Sequence, residues 1–294
     1  MTILLTGATG FLGSHLLEAL LGKGYQVVIL KRSFSDTWRI NHLLNKVKSY
    51  DVDREALEKP FEENTISTVI HTATHYGRNN DPASKVAETN IIFPLRLLET
   101  ATFFNTDTFF NTDTLLYQYL NNYALSKKQF VQWLKLVSEA GKIRAVNLRM
   151  EHMYGPKDDE KKFVTWALKQ MINGTDRIPL TKGEQKRDFI YISDVVNAYL
   201  LLFQEYDRLP AFSEFDVGTG QTTSIKAFVV KLKEIVEKTL GKDIPTFLDF
   251  GALPYRQGEP MEIAADISRL NELGWQPKVP LNIGLQNLVQ EELH

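Results

Sequence analysis

Apolar residues in the first third of the chain follow two different spacings. Short β-branched runs predict strands at 3–6, 25–30, 47–52, 68–72 and 108–111. Between the first two runs, residues 11–21 repeat apolar positions every three or four residues, and Gly22 and Gly24 close that pattern as glycines do after a helix. Strands that alternate with helices in this way predict an α/β fold with a doubly wound parallel sheet, covered by helices on both faces.

The pattern changes near residue 155, where shorter runs and more turn residues begin. Helical spacing continues at 161–173, 224–240 and 281–292, and strands are predicted at 178–180, 189–192 and 246–250. We therefore predict two domains. Residues 1–155 carry the doubly wound sheet and residues 156–294 form a smaller mixed α/β domain, with segment 189–212 as a candidate to return to the first domain.

Composition narrows the classes of protein that fit this pattern. The 294 residues include 34 Lys plus Arg against 36 Asp plus Glu, and no cysteine. This balance argues against a general nucleic-acid binder, because neutralising phosphates needs a basic surplus. The lack of cysteine excludes disulfides and thiolate chemistry. The first residues lack the basic region of a signal peptide, and no apolar run approaches the ~20 residues of a membrane helix. We expect a cytoplasmic protein whose partners include no nucleic acid, membrane or metal.

A glycine-rich turn follows the first predicted strand and opens the first predicted helix. Gly7, Gly10 and Gly13 have the spacing G-x-x-G-x-x-G. The first permits a tight turn, the second lets the backbone approach a pyrophosphate, and the third lets helix pack on sheet. This context predicts a Rossmann-type dinucleotide site, although a turn without ligand is the alternative. The residues expected at the phosphates are Gly7, Thr9, Gly10, Phe11, Leu12 and Gly13.

The end of the second strand indicates which dinucleotide binds. Folds that bind NAD place an acid there for the ribose 2′-hydroxyl, whereas this chain has Lys31, Arg32 and Ser33. Such residues attract a 2′-phosphate, so NADP(H) is favoured over NAD(H), unless they are solvated surface residues. The ends of the third and fourth strands are predicted to line the adenine and the nicotinamide with Asp51, Val52, His71, Thr72 and Ala73. Taken alone, Asp51 fits a turn and His71 fits a core position.

Tyr123 and Lys127 form the candidate catalytic pair. They lie four residues apart at the start of the helical pattern 122–139 and therefore share one helix face. An ammonium near a phenol favours the phenolate and lowers the pKa of the tyrosine toward neutrality, which suits acid–base catalysis. The chain has 11 tyrosines, so the spacing gains weight only from its position after the phosphate turn and the five strands.

These motifs together resemble the extended short-chain dehydrogenase/reductases of the nucleotide-sugar epimerase/dehydratase type. The resemblance continues through the second half of the chain at 148–149, 153–156, 187–194, 217–220, 256–260, 265–268 and 273–275. It implies an NAD(P)-dependent oxidoreductase with a Rossmann domain, a nucleotide-sugar-binding domain after it, and Tyr123 and Lys127 at both the cofactor and the reacting carbon.

The resemblance also implies a catalytic hydroxyl before the tyrosine. The stretch 111–114 is similar to the family's Ser-Thr-Asp motif, which selects Thr112, with Thr114 as the competitor. A repeat of FFNTDT at 103–108 and 109–114 offers Thr106 as a remote third. Dehydratases of this family have glutamate where Thr114 stands, which argues against dehydration. Thr112 and Tyr123 are only 11 positions apart, a shorter loop than extended members usually carry.

Closer likeness is to the abequose and paratose synthases, which are CDP-linked 4-reductases. The similar stretches are 76–80, 151–155, 183–189 and 249–251. They imply NADPH-dependent reduction at C4 of a nucleotide-linked 4-keto-6-deoxy or 3,6-dideoxy hexose, as in the deoxysugar biosynthesis of lipopolysaccharide O-antigens. The implied substrate-binding residues are Tyr76, Arg78, Asp113, Glu151, His152, Arg187 and Arg256.

Two other functions stay open at this point, as does the oligomeric state. An NAD-dependent nucleotide-sugar 4-epimerase would oxidise and re-reduce one carbon, and a dinucleotide-binding regulator would use the cofactor without catalysis. Relatives often dimerise through two helices per subunit, one of them carrying the Tyr/Lys pair. The helical pattern 122–139 has an apolar stripe that fits a homodimer and a core equally: Phe130, Trp133, Leu134 and Leu136.

Overall fold

A computed structural model describes residues 1–78, 80–256 and 258–293. Asn79 and Gln257, which belong to two of the stretches that carry the resemblance, lie outside the described residues, as does His294. The chain divides into two compact units, one of residues 1–149 with 196–215 and one of residues 150–195 with 216–294. The chain thus leaves the first unit near the predicted boundary and returns to it within a segment that overlaps 189–212.

The strands lie close to the predicted runs where the apolar pattern was clear. In chain order they are β1 (Thr2–Thr6), β2 (Gln26–Lys31), β3 (Lys48–Asp51), β4 (Ile66–His71), β5 (Thr108–Thr114), β6 (Arg144–Met150), β7 (His152–Tyr154), β8 (Arg177–Leu180), β9 (Lys186–Arg187), β10 (Phe189–Tyr191), β11 (Phe212–Val217), β12 (Thr223–Ser224), β13 (Phe247–Phe250) and β14 (Glu262–Ile263). Strand β5 continues three residues beyond its predicted end and therefore includes both candidate threonines.

The helices alternate with these strands as the spacing predicts. They are α1 (Phe11–Gly22), α2 (Lys59–Glu63), α3 (Ala83–Ala87), α4 (Phe93–Phe103), α5 (Asn122–Glu139), α6 (Phe163–Ile172), α7 (Ile192–Glu205), α8 (Ile225–Leu240), α9 (Ser268–Glu272) and α10 (Leu281–Leu293), with a π-helical turn at Glu88–Ile92 before α4. Within the described ranges, no helix combines the length and the apolar character needed to cross a membrane.

A seven-stranded sheet forms the centre of the first unit. Its strand order is β11-β6-β5-β4-β1-β2-β3, and β1 pairs in parallel with β2 on one side and β4 on the other. The chain therefore winds outward in both directions from β1, which confirms the predicted doubly wound α/β fold. Phe109 of β5 packs against Phe130 and Leu134 of α5, all fully buried, so this helix is fixed on the sheet by its apolar face.

The second unit is built from shorter pieces around a helix and an aromatic cluster. Strand β7 pairs with β10, β8 pairs with β13, and β9 lies between β12 and β14. The rings of Phe189 and Phe228 stack at 3.9 Å, which joins α8 to β10. The carboxylate of Asp188 accepts hydrogen bonds from the N–H groups of Thr219, Gly220 and Ala265 at 2.8, 2.8 and 3.3 Å. The buried carboxylate of Asp188 therefore joins, by hydrogen bonds, three of the stretches that carry the resemblance: 187–194, 217–220 and 265–268.

The repeated hexapeptide adopts two different structures. Its first copy ends α4 and turns, with Asn105 in the left-handed region at φ 57° and Phe103 78% exposed. Its second copy is strand β5, where Phe109 is fully buried. Thr106 is also buried, and its hydroxyl donates to the carbonyl of Ile66 at 3.1 Å. Identical residues are thus helix end and turn in one place and strand in the other.

The glycine turn depends on a very close approach between its first and last glycines. Gly7 has φ 71°, in the left-handed region, and a Cβ there would come within 2.6 Å of the Ala73 nitrogen. A Cβ on Gly13 would collide with the carbonyl oxygen of Gly7. Helix α1 can therefore begin against the end of β1 only if both positions lack a side chain.

We expect Gly13→Ala to lower the free energy of unfolding by about 1–3 kcal/mol or more. The added methyl group would clash with backbone atoms, which cannot move aside as a flexible side chain can. Gly22→Ala, in the same helix, is the matched control. A Cβ at Gly22 meets nothing within 4 Å, so this change should stabilise the protein by about 0.5–1 kcal/mol. Urea unfolding of both variants checks the prediction, and equal effects would contradict it.

Candidate functional site

The first element of the candidate site is the start of α1. The helix begins directly after Gly10, whose N–H donates to the carbonyl of Gly7 at 2.9 Å, and no side chain caps it. The first N–H groups of a helix have no partner within the helix, and they lie at the positive end of its dipole. The turn 7–13 therefore offers backbone donors of the kind that bind a pyrophosphate.

The ends of β1 and β4 are tied together behind this turn. The hydroxyl of Thr6 lies 2.8 Å from Nδ1 of His71 and accepts the N–H of Ala73 at 3.3 Å, while the Thr72 hydroxyl donates to the carbonyl of Thr6 at 2.8 Å. These contacts fix the backbone at the point where the strand order reverses, which is where ligands bind in open α/β sheets.

His71 itself is enclosed in the core. It is 0% exposed, and its ring packs against Phe93, Phe109 and Phe130. Burial, with the nearby Lys127 charge, lowers the pKa of His71 well below its ordinary value. The side chain is therefore a neutral core imidazole that supports Thr6, and it does not face a ligand as the sequence analysis placed it.

The loop after β2 brings the predicted 2′-phosphate residues next to acids. The guanidinium of Arg32 is paired with Asp53 at 2.9 Å, and the Ser33 hydroxyl donates to Asp51 at 2.6 Å. The carbonyl of Lys31 accepts the N–H of Val52 at 3.0 Å. Sequence reasoning missed Asp53, because it follows β3 and only the pairing of β3 with β2 brings it to this loop.

Tyr123 lies in the first turn of α5, with the side chain of Thr114 beside its phenol. The side chain of Asn121 begins this helix by accepting the N–H of Ala124 at 2.8 Å. Burial raises the pKa of Tyr123 well above its ordinary value, and electrostatic interactions with Tyr76 and Asp113 add to this, whereas the side chain of Thr114 opposes it. The prediction that the pKa of Tyr123 falls toward neutrality is wrong, because burial dominates and the ammonium of Lys127 is not among the groups that lower this pKa. At neutral pH the phenol is protonated and can donate a proton.

Lys127 is fully buried one helical turn after the tyrosine. It is 1% exposed, and no hydrogen bond or ion pair reaches its ammonium from the described part of the chain. Burial lowers the pKa of Lys127 to about 8, with Lys128 adding to the decrease and Asp113 opposing it. A buried ammonium that lacks a partner is costly, and such groups concentrate where ligands bind.

The two candidate threonines have different partners. The hydroxyl of Thr112 lies 2.6 Å from that of Tyr199, a residue of α7 that is 2% exposed. The hydroxyl of Thr114, at the end of the same strand, contacts Tyr123. The structure thus brings Thr114, and not Thr112, to the phenol. The resemblance could not show this, because a matched motif identifies residue types and does not reveal which of the two hydroxyls lies near the phenol.

Asp113, between the two threonines, is part of a buried polar network. It is 1% exposed, and its carboxylate accepts from the ammonium of Lys128 at 2.8 Å and from the amide of Asn147 at 3.3 Å. The same Asn147 joins Asn111 at 2.7 Å and Glu214 at 2.8 Å. Asp113 therefore pairs with α5 and β6, and it does not present its carboxylate to a substrate.

The loop after β4 carries Tyr76 and Arg78 toward the catalytic pair. The ring of Tyr76 lies 5.0 Å from that of Tyr123, and the guanidinium of Arg78 lies 5.1 Å from the Tyr76 ring. The ring of Tyr76 therefore lies beside the phenol at a tilt of 36°, with Arg78 over its face, and Tyr76 is 37% exposed. A partly exposed aromatic ring with a guanidinium over its face suits contact with a flat or apolar ligand face.

Asn90 holds this loop, and sequence reasoning missed it. Its amide binds both the N–H and the carbonyl of His75, at 2.7 and 2.9 Å, and it donates to the hydroxyl of Ser126 at 2.9 Å. Ser126 in turn donates to the carbonyl of Tyr123 at 2.8 Å. Asn90 is 0% exposed and lies in the π-helical turn, a feature that is frequent at functional sites.

The predicted residues of the second unit form their own pairs. Arg187 is 4% exposed and hydrogen-bonds to the carboxylate of Glu259, which sequence reasoning missed as a partner. Glu151 accepts from His152 Nδ1 at 2.8 Å. Arg256 is exposed, and among the described residues its guanidinium has no hydrogen-bonding partner. Of these residues, Arg256 and the half-open imidazole of His152 present polar atoms to solvent.

Comparison with known proteins identifies the family. The model of the NAD dependent epimerase/dehydratase family matches residues 3–218. The chain is 35% identical to CDP-abequose synthase of Salmonella muenchen, over 98% of this chain and 96% of that protein. It is 26% identical to a putative UDP-glucose 4-epimerase of Methanocaldococcus jannaschii, over 98% of this chain and 97% of that protein.

Solved structures support the same assignment. The UDP-glucose 4-epimerase of Thermotoga maritima with UDP-glucose superposes with a TM-score of 0.86 at 26% identity, over 100% of this chain and 99% of that one. The UDP-glucuronic acid 4-epimerase of Bacillus cereus, with UDP-glucuronic acid and NAD, gives 0.82 at 25% identity and 100% of both chains. The chain belongs to the NAD-dependent epimerase/dehydratase family of extended short-chain dehydrogenase/reductases, and it is an enzyme of the oxidoreductase type.

Replacing Lys127 with methionine should stabilise the protein at pH 7 by an amount of order 3 kcal/mol, since each unit of pKa corresponds to about 1.4 kcal/mol and burial holds this pKa at about 8 instead of 10.5. Between these two pH values the folded protein binds fewer protons than the unfolded chain. The stability of the wild type should therefore rise across that window relative to Lys127→Met.

Urea unfolding at pH 7, 9 and 10.5 measures the difference. The matched control is Lys135→Met on the same helix, where the side chain is 53% exposed, and it should change stability by less than about 0.5 kcal/mol. A loss of stability in Lys127→Met at pH 7, or a difference that does not vary with pH, would show that the ammonium is not strained by burial.

Proposed function

We propose that this enzyme reduces the C4 ketone of a nucleotide-linked 4-keto-6-deoxy or 3,6-dideoxy hexose, with NADPH as the reductant and CDP as the nucleotide. The observation that carries the proposal is the Tyr123 phenol, which burial keeps protonated and which lies beside Thr114 and one helical turn from the buried Lys127. Likeness to CDP-abequose synthase, at 35% identity over nearly the full length, supports the nucleotide and the sugar class.

The residues of the first unit fit a bound dinucleotide. Gly7 and Gly13 leave a cradle that any side chain would fill, and the N–H groups at the start of α1 are suited to its pyrophosphate. The unpartnered ammonium of Lys127 is suited to hydroxyls of the nicotinamide ribose. When bound, the reduced nicotinamide supplies a hydride, while the chain supplies orientation and electrostatics.

The proton in this reaction comes from Tyr123. As the C4 oxygen gains charge, the phenol donates its proton to that oxygen, and the product is an alcohol. The hydroxyl of Thr114, which lowers the pKa of this phenol, is placed to donate to the phenolate left behind. We assign to the ammonium of Lys127, on the same helix face, the further stabilisation of that phenolate. We therefore assign the catalytic hydroxyl to Thr114 and give Thr112 a structural role through its hydrogen bond with Tyr199.

The contacts with substrate are proposed for residues that present polar or ring atoms. Tyr76 and Arg78, beside the phenol, are placed to contact the sugar, and Arg256 and Arg187 are the proposed partners of the diphosphate because guanidinium matches phosphate geometry. Arg187 would first have to exchange its hydrogen bond with Glu259.

NADP(H) is proposed over NAD(H) because β2 ends with Lys31 and is followed by Arg32 and Ser33, a segment that itself holds no acid for a ribose 2′-hydroxyl. Solved relatives such as the Bacillus cereus 4-epimerase carry NAD in their structures, so cofactor choice is a property to be measured in this chain. We propose the cytoplasm as the site of this activity, and the described part of the chain has no membrane-spanning helix.

A second copy of the chain is the proposed partner. The apolar stripe of α5 is divided, because Phe130 and Leu134 are fully buried whereas Trp133 and Leu136 are 48% and 61% exposed. Exposed large apolar side chains on one helix face are typical of an interface. Sedimentation equilibrium of the purified chain distinguishes a homodimer from a monomer.

A 4-epimerase is the second candidate, and likeness to UDP-glucose 4-epimerases at 26% identity favours it. The two reactions differ in cofactor balance. With a CDP-linked 4-keto sugar, a reductase consumes one NADPH for each alcohol formed, which absorbance at 340 nm follows directly. An epimerase interconverts its sugars with no net oxidation or reduction of the cofactor, so the absorbance at 340 nm stays constant. A protein that binds dinucleotide but turns over neither substrate would be a regulator.

Substitutions at three hydroxyls separate the proposed roles. Tyr123→Phe should lower kcat at least about 10²-fold, the usual contribution of a positioned general acid. Thr114→Val should lower kcat by about tenfold or more with little change in KM, because its hydrogen bond strengthens as the phenolate forms. Thr112→Val is the matched control from the same strand.

Thr112→Val should keep kcat within about threefold of the wild type and act on thermal stability instead, since it removes a buried hydrogen bond with Tyr199. The opposite result, in which Thr112→Val loses activity and Thr114→Val does not, would return the catalytic role to Thr112. Circular dichroism of each variant verifies that the fold is retained.

A further inference from the structure

The donors that the cofactor proposal assigns to a 2′-phosphate are already bound to a carboxylate. Asp53 accepts from Nε of Arg32 at 3.0 Å and from the N–H of Ser33 at 2.9 Å, and a second guanidinium nitrogen lies 2.9 Å from it. The Ser33 hydroxyl donates to Asp51 at 2.6 Å. A guanidinium edge, a backbone N–H and a hydroxyl form an anion-binding set, and here two side-chain anions fill it.

The turn after β3 holds Asp53 in this position. The N–H of Asp53 donates to Asp51 Oδ1 at 3.0 Å, and the N–H of Arg54 donates to the carbonyl of Asp51 at 3.0 Å. Strands β2 and β3 are paired directly before these residues, with Lys31 opposite Asp51. The backbone of this turn and the attraction to Arg32 therefore both orient the carboxylate of Asp53 toward residues 31–33.

The pair is open enough to exchange with a ligand. The side chain of Arg32 is 54% exposed and that of Asp53 is 26% exposed. Exposed ion pairs of this kind are individually weak, and solvent screens them. The hydrogen bond from Arg32 holds the pKa of Asp53 below its ordinary value, with the Ser33 N–H adding to this, so the carboxylate is ionised at neutral pH.

We propose that Asp53 is a cofactor-discriminating residue that competes with the 2′-phosphate of NADP(H) for Arg32 and the Ser33 N–H. A dinucleotide with a 2′-phosphate must displace this carboxylate and then lie close to it, and to Asp51, as a like charge. A dinucleotide with a 2′-hydroxyl does neither. The carboxylate thus reduces the advantage that Lys31, Arg32 and Ser33 would otherwise give to NADP(H). This inference rests on the cofactor part of the proposed function.

The test is a binding measurement that needs no sugar substrate. Adenosine 2′,5′-bisphosphate and adenosine 5′-monophosphate differ only in the 2′-phosphate, and calorimetry gives the dissociation constant of each with the full-length protein. Asp53→Asn keeps the shape and the hydrogen-bond acceptor but removes the charge. It should bind the bisphosphate at least about threefold more tightly, while the monophosphate constant should stay within about twofold. NADPH and NADH should show the same contrast.

A double-mutant cycle with Arg32→Leu tests the competition itself. In the wild type, Arg32 is occupied by Asp53, so Arg32→Leu should weaken bisphosphate binding less than it does in the Asp53→Asn background. Asp53→Ser is the second variant in case the amide of asparagine keeps the pair. Asp243→Asn, an exposed acid in the second unit, has the same change in net charge and should leave both constants unchanged.

Unchanged or weaker bisphosphate binding in both Asp53 variants would overturn the inference, as would additive effects in the cycle. Weaker binding would mean that Asp53 orients Arg32 for the phosphate. Absence of bisphosphate binding in every variant would also overturn it. These outcomes are independent of the sugar reaction, so a protein that fails to reduce a 4-keto sugar could still show the predicted cycle, and the two failures are distinguishable.

Discussion

The candidate site depends on the close approach between the backbones of Gly7 and Gly13. Because a Cβ at either position would strike backbone, α1 can begin where β1 ends and direct its N–H groups along the sheet edge. The same edge holds the Thr6 contacts to β4 and the carboxyl end of β5, where Thr114 lies. A wider turn would move the helix start away from the strand ends and separate the phosphate donors from the catalytic side chains.

Charge at the catalytic helix is divided between two adjacent lysines. Lys128 is neutralised by the buried carboxylate of Asp113, which Asn147 also binds, whereas Lys127 has no such partner in the described chain. The carboxylate of Asp113 thus pairs with the ammonium of Lys128 and not with that of Lys127. The charge of Lys127 therefore acts on the groups around it, and it helps to keep the imidazole of His71 neutral. The unpaired charge lowers stability, which is a cost that proteins accept mainly where a ligand or a reaction uses it.

The sequence predicted what depends on local pattern and missed what depends on pairing in space. The parallel strands, the start of α1 and the bounds of α5 follow from hydrophobic spacing and were close to those observed. Strand β6 was missed because the buried Asn147 interrupts its apolar run, and α7 was missed because it begins directly after β10. Asp53 and Asn90 lie 21 and 15 positions from the residues they bind, Arg32 and His75. These residues meet only because of the order of the strands in the sheet or the packing of a helix on that sheet. A regular spacing along the sequence therefore does not reveal such contacts.

The duplicated hexapeptide gives β5 an alternative register. Strand side chains alternate with a period of two, so a shift of six residues returns every side chain to the same face, and 103–105 could pair with β4 where 109–111 pair in the structure. What excludes this arrangement is α4, which would lose its last turn while Leu98 and Ala101 are already fully buried against the sheet. The helix therefore selects the register of the strand, and any change that frays α4 would bring two identical segments into competition for one place beside β4, removing Thr114 from the phenol whenever the wrong copy is inserted.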